Sequence, residues 1–162
     1  MTRFPILKIA VAAVFSMVTA CGDDEPAGPA TSFTATLSGA SEVPPVTTTA
    51  AGTATLSVSG AAITYTVNVT DLQNVLVAHI HIAPAGANGP VRLNLCGTGA
   101  PEPDCSMSPT GVLVTGSNGT TFGDPPITFD SLLSAMRTGG AYVNVHTDAN
   151  PGGEIRGQIA AN

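Results

Sequence analysis

The stretch AITYTVNVT (62–70) alternates apolar with polar residues, Ile63, Tyr65, Val67 and Val69 against Thr64, Thr66, Asn68 and Thr70. A period of two sends successive side chains to opposite faces of an extended chain, so the segment reads as a strand buried on one side. Phe33, Ala35 and Leu37 alternate in the same way with Thr34, Thr36 and Ser38, and Ala54, Leu56 and Val58 with Thr53, Thr55 and Ser57. Ser59-Gly60 reads as a tight hairpin between the second and third runs, and Pro44-Pro45 ends pairing after the first. Further strands are expected at about 75–83, 90–95, 111–116, 141–147 and 153–160. Only FDSLLSAMRTGG (129–140) has helical spacing, with Asp130 or a neighbour as cap, Leu132, Leu133 and Met136 on one face, and Gly139-Gly140 as the stop. Many short strands, abundant threonine and no tryptophan predict an all-β fold, an antiparallel Greek-key sandwich or barrel with one short helix.

The first twenty residues do not share this period. Arg3 and Lys8 precede an apolar run from Ile9 to Val18, which is the pattern of an export signal and is too short to span a bilayer as a mature helix. The run ends in Val18-Thr19-Ala20-Cys21, which resembles the lipobox of bacterial lipoproteins and implies that Cys21 becomes a lipid-bearing N-terminus. The alternative is ordinary secretory cleavage nearby, with Cys21 a free thiol. The expected organisation is a signal peptide (1–20), a flexible tether rich in Pro, Gly and acid (21–32), and one domain (33–162). The expected location is the bacterial cell envelope, with the lipid as the membrane contact.

Without the signal, three basic residues, Arg92, Arg137 and Arg156, face eleven acidic ones, a net charge of −8. Nucleic acid is therefore not an expected partner, and an anionic membrane surface would not hold the chain electrostatically. Cys96 and Cys105 flank GTGAPEPD in an exported chain, which points to a disulfide, with zinc ligation as the alternative.

The chain has three histidines, and two lie two residues apart in VLVAHIHIA (75–83). Alternation there gives Leu76, Ala78, Ile80 and Ile82 one face and His79 and His81 the other. In YVNVHT (142–147), Val143 and Val145 take the core face, leaving Tyr142, Asn144 and His146 outward. Arg92 and Asn94, and likewise Glu154, Arg156 and Gln158, fall on the outer faces of their strands. Neutral imidazoles suit copper or zinc, and same-face residues at i and i+2 can share one ion. The competing reading is three surface histidines bonded to neighbouring loops, helped by Asn88 or Asn144.

Other constellations carry less chemistry. PAGANGP (84–90) lacks the Lys-Ser/Thr ending and following helix of a phosphate cradle and reads as a strand connection. Glu42 has no second carboxylate near it in sequence and reads as a turn stabiliser. DANPGG (148–153) lacks Ca²⁺-loop spacing and reads as an Asx turn. No nucleophile-elbow pattern accompanies a histidine, so no catalytic residue is assigned.

Three ordered segments, LSGASEVPPVTTTAAGTATLSV (37–58), VLVAHIHIAPAGANGPVRLNL (75–95) and GGAYVNVHTDANPGGEIRGQI (139–159), resemble the CHRD domain, the module named after chordin and found in bacterial lipoproteins. The resemblance implies an immunoglobulin-like sandwich or barrel with limited similarity to copper-zinc superoxide dismutases, and no settled activity. By that similarity His79, His81 and His146 match three copper ligands of the dismutases. A fourth, bridging histidine and a zinc loop are absent from the sequence, and Arg156 is shifted from the dismutase arginine. Two functional readings follow: a lipid-anchored module that binds an unidentified protein or small ligand, and an envelope protein holding copper, or zinc, on a three-histidine surface site.

Overall fold

The computed structural model describes residues 29–97, 102–108, 110–118, 123 and 125–162. The expected signal peptide, Cys21 and most of the tether lie outside the described residues.

The alternating runs form strands where the pattern places them: β1 (Ser32–Ser38), β2 (Ala51–Ser59), β3 (Ala62–Thr70), β4 (Val75–Ile82), β5 (Val91–Cys96), β6 (Gly111–Asn118), β7 (Ala141–Thr147), β8 (Ile155–Gln158) and β9 (Ala160–Ala161). A 3-10 turn, Gly39–Ser41, follows β1, and among the described residues one helix, α1 (Phe129–Arg137), precedes β7. The strands join antiparallel in the order β5-β4-β7-β8-β1-β2-β3-β6, with β9 beside β1. The two end strands, β5 and β6, meet where Asn118 Nδ2 donates to the Asn94 carbonyl at 2.8 Å, and Tyr65 Oη of β3 donates to the Leu95 carbonyl of β5 at 2.9 Å. The sheet is thus a nearly closed barrel, as the all-β pattern requires.

One face of every long strand supplies the interior, including Phe33, Leu37, Leu56, Ile63, Tyr65, Val67, Ile80, Leu95, Val143 and Ile155. The opposite face of β1, β2, β3 and β6 carries threonines in register, with Thr34 opposite Thr55, Thr55 opposite Thr66, and Thr66 opposite Thr115. Threonine suits this position because its branched β-carbon favours the extended backbone while its hydroxyl meets water.

Local expectations are corrected or made specific at three places. The β2–β3 turn consists of Gly60 and Ala61, because Ser59 still pairs with Ala62; Gly60 has φ +58°, which glycine adopts without a Cβ penalty. The cap of α1 is Thr128, whose hydroxyl accepts from Ser131 N at 3.1 Å, while Asp130 sits in the first turn near the positive end of the helix dipole. Leu76, expected inside, is 42% exposed, and Val75 is buried instead. A register shift against β7 between Val75 and Val77 reverses the alternation at the start of β4.

Cys96 and Cys105 are joined, with an S–S distance of 2.01 Å. On the chain-entropy estimate, closing so short a loop stabilises by about 2.7 kcal/mol. Replacing both cysteines by alanine is expected to lower unfolding stability by about that amount in a urea titration. Equal midpoints for the two proteins would contradict it.

Candidate metal centre

The strands bring all three histidines to one place. In the β4–β7 ladder His81 lies opposite Tyr142, His79 opposite Asn144, and Val77 opposite His146, so His146 is the diagonal neighbour of His79 on the same face. Ring centroids are 5.1 Å apart for His79 and His146, 5.6 Å for His79 and His81, and 6.0 Å for His81 and His146. One ring nitrogen from each histidine lies within 4.8 Å of the other two.

The outward orientation read from alternation holds, and loops cover the cluster in part: His81 is buried, and His79 and His146 are half-buried. His81 is 7% exposed, and its neighbours on this face, Tyr142, Asn144, Glu154 and Arg156, are also buried. The covering material is loop. Residues 42–50 and 148–154 are tied together by Glu154, whose carboxylate accepts from Thr48 Oγ1 at 2.8 Å and from Thr147 Oγ1 at 2.5 Å. Residues 83–90 fold back over β4. A Cβ at Gly89 would sit 2.0 Å from the Ile82 carbonyl oxygen, so only glycine allows this approach. The turn after β7 is held by Thr147, whose hydroxyl accepts from Asn150 N at 3.1 Å, where the sequence suggested an Asx turn.

Two of these loops, 83–90 and 148–154, present a carbonyl to a histidine. Gly89 O lies 2.9 Å from His81 Nδ1, and Pro151 O lies 2.9 Å from His146 Nδ1. A carbonyl only accepts, so both Nδ1 atoms carry the proton. In the neutral rings Nε2 of His81 and of His146 is then a bare lone pair. Both Nε2 atoms and Nδ1 of His79 are buried without a hydrogen-bond partner. The loop-bonding role weighed for these histidines is therefore half filled: the loops use one nitrogen of His81 and one of His146 and leave the other free. Asn88 takes no part, since it donates to the Val43 carbonyl and accepts from Arg156.

Burial holds the rings neutral. It lowers the pKa of His79 to about 4, helped by the neighbouring His146 and His81. Burial also lowers His81 and His146, against the opposing hydrogen bonds to Gly89 and Pro151, and Arg156 lowers both further. Proton competition for these nitrogens therefore falls below the ordinary histidine value of about 6.5.

Sequence reasoning missed the residues that position this centre. Tyr142 stacks on His81, centroids 4.9 Å apart and planes 9° apart, and Arg156 Cζ lies 4.6 Å from the Tyr142 ring centroid. Arg156 Nε donates to Glu42 Oε2 at 2.7 Å, Nη2 to Asn88 Oδ1 at 2.7 Å and Nη1 to the Ala87 carbonyl at 3.3 Å. Glu42, 3% exposed, is thus the counterion of a buried arginine and not a turn stabiliser. Gly153, at φ +125°, leaves room for this packing, because a Cβ there would lie 2.8 Å from Glu42 Oε1 and 2.7 Å from Asn144. Glycines at tight loop positions were the one available signal.

Fold and site together define a class: a β-barrel domain with a loop-covered cluster of neutral imidazoles outside its hydrophobic core. The CHRD domain family matches residues 33–159, and the chain belongs to that family. Neither a curated protein nor a solved structure matches the chain.

Proposed function

We propose that this CHRD protein is an envelope lipoprotein that holds a transition-metal ion, copper ahead of zinc, on His79, His81 and His146. One observation carries the reading: one ring nitrogen from each of the three histidines lies within 4.8 Å of the other two, and each ring has a buried nitrogen without a partner. Leaving a buried polar atom unpaired costs about 1–3 kcal/mol, so three in one cluster call for a shared partner. A cation satisfies all three at once when each ring turns a lone pair to it. Bonds of about 2.0–2.1 Å to one ion require the rings to draw together from their present spacing. The carbonyls on His81 and His146 fix ring orientation as outer partners of metal-ligating histidines do.

The site extends the broader reading of a binding module by giving its ligand a chemistry. Dismutase chemistry is not included, because the donors of Arg156 point to Glu42, Ala87 and Asn88 and do not face an incoming anion.

The untagged protein should take up one copper ion per chain in an equilibrium titration, and the H79Q/H81Q/H146Q variant should take up none. Equal uptake by both proteins, or none by either, would return the histidines to a purely structural role. The anchor rests on the apolar run and VTAC at 18–21. Cys21→Ser should release the protein from membranes or block its maturation; an unchanged membrane fraction with normal signal removal would count against lipidation.

A further inference from the structure

We infer that the ion this centre selects is monovalent Cu(I), in preference to Cu(II) or Zn(II). The inference rests on the reading of the three histidines as a metal site and adds the charge of the ion.

The first reason is the donor set. All three donors are neutral, and no Asp, Glu or Cys joins them among the described residues. Of the two nearby carboxylates, Glu42 has its charge matched by Arg156 through Oε2, with Oε1 buried and without a partner, and both oxygens of Glu154 accept from Thr48 and Thr147. The charge of a bound ion therefore stays uncompensated at nitrogens that are closed to solvent. Desolvation of an ion rises with the square of its charge, so a divalent ion meets about four times the penalty of a monovalent one.

The second reason is Arg156. Its guanidinium lies over Tyr142, and Tyr142 lies flat against His81, so a fixed cation stands one ring away from the ligands. Glu42 offsets part of that field, and the remainder repels a double charge twice as strongly.

The third reason is coordination number. The three free nitrogens are closed to solvent. Zn(II) in a three-histidine site takes a fourth ligand, usually water, and Cu(II) favours a tetragonal set. Cu(I), a closed-shell ion without ligand-field preference, is stable with three donors and no water.

Anaerobic competition of the purified untagged protein against bicinchoninate measures Cu(I) affinity. Parallel titrations measure Cu(II) against glycine and Zn(II) against a chromogenic chelator, with the H79Q/H81Q/H146Q variant as the site control. The expected Kd for Cu(I) is at least tenfold below those for the two divalent ions. The reduction potential of the copper-loaded protein should correspondingly lie at least 59 mV above that of the aqueous couple. A preference under tenfold, or tighter binding of Cu(II) or Zn(II) that the variant loses, would overturn the choice of ion and leave the metal site standing. Binding of none of the three ions would overturn both.

Discussion

Glu42→Ala should destabilise the domain by about 3–5 kcal/mol, because it strips a buried arginine of its counterion. Arg156 and Glu42 are 5% and 3% exposed, and their contact is 2.7 Å. With alanine at 42, the guanidinium loses its only charged partner among the described residues and keeps Asn88 and the Ala87 carbonyl as acceptors. Burial outweighs Arg156 in setting the Glu42 pKa, which lies above the ordinary carboxylate value. The pair is therefore a structural clamp whose worth lies in not being broken. Glu42→Gln keeps an acceptor of the same shape and should lose clearly less. Urea unfolding at pH 7 checks both variants, and a loss below about 1 kcal/mol for Glu42→Ala would place it with exposed ion pairs instead.

The metal-free domain should also lose stability in mild acid. Above about pH 6.5 the histidines are neutral in the folded and unfolded chain alike. As the pH falls, the unfolded chain takes up protons at that ordinary value while the buried rings resist, so the unfolded state binds more protons and gains. The contribution of the neutral rings is present above about pH 6.5 and is lost as the pH falls towards about 4, the value to which His79 is lowered. With allowance for its partial exposure, His79 alone should account for a loss on the order of 2 kcal/mol across that window. His81 and His146 act in the same direction. Replacing His79 by Gln should flatten the profile, and a wild-type stability that stays constant from pH 7 to pH 4.5 would contradict the burial of these rings.

The barrel was legible because a period of two survives in nearly every strand. It also placed the histidines correctly, since Ala78 and Ile80 can face inward only if His79 and His81 face outward. Where alternation failed, at Leu76, a register shift had intervened, and such shifts have no side-chain signature. The union of His146 with His79 was not legible, because it depends on β4 and β7 being neighbours in the sheet. Glu42 and Arg156, 114 residues apart, pose the same problem of long-range pairing. The cover over the centre was hidden for another reason. Its decisive groups are the backbone carbonyls of Gly89 and Pro151, atoms that every residue possesses, so only the fold can say which of them meets a ring.

Nitrogen NMR of the histidine rings tests the centre most directly. In the metal-free protein at pH 7, His81 and His146 should show neutral rings protonated at Nδ1. One equivalent of Cu(I) or Zn(II), neither of which has unpaired electrons, should shift Nε2 of His81, Nε2 of His146 and Nδ1 of His79 together. Rings that titrate near pH 6.5 and do not respond to either ion would contradict a metal centre built from these three residues.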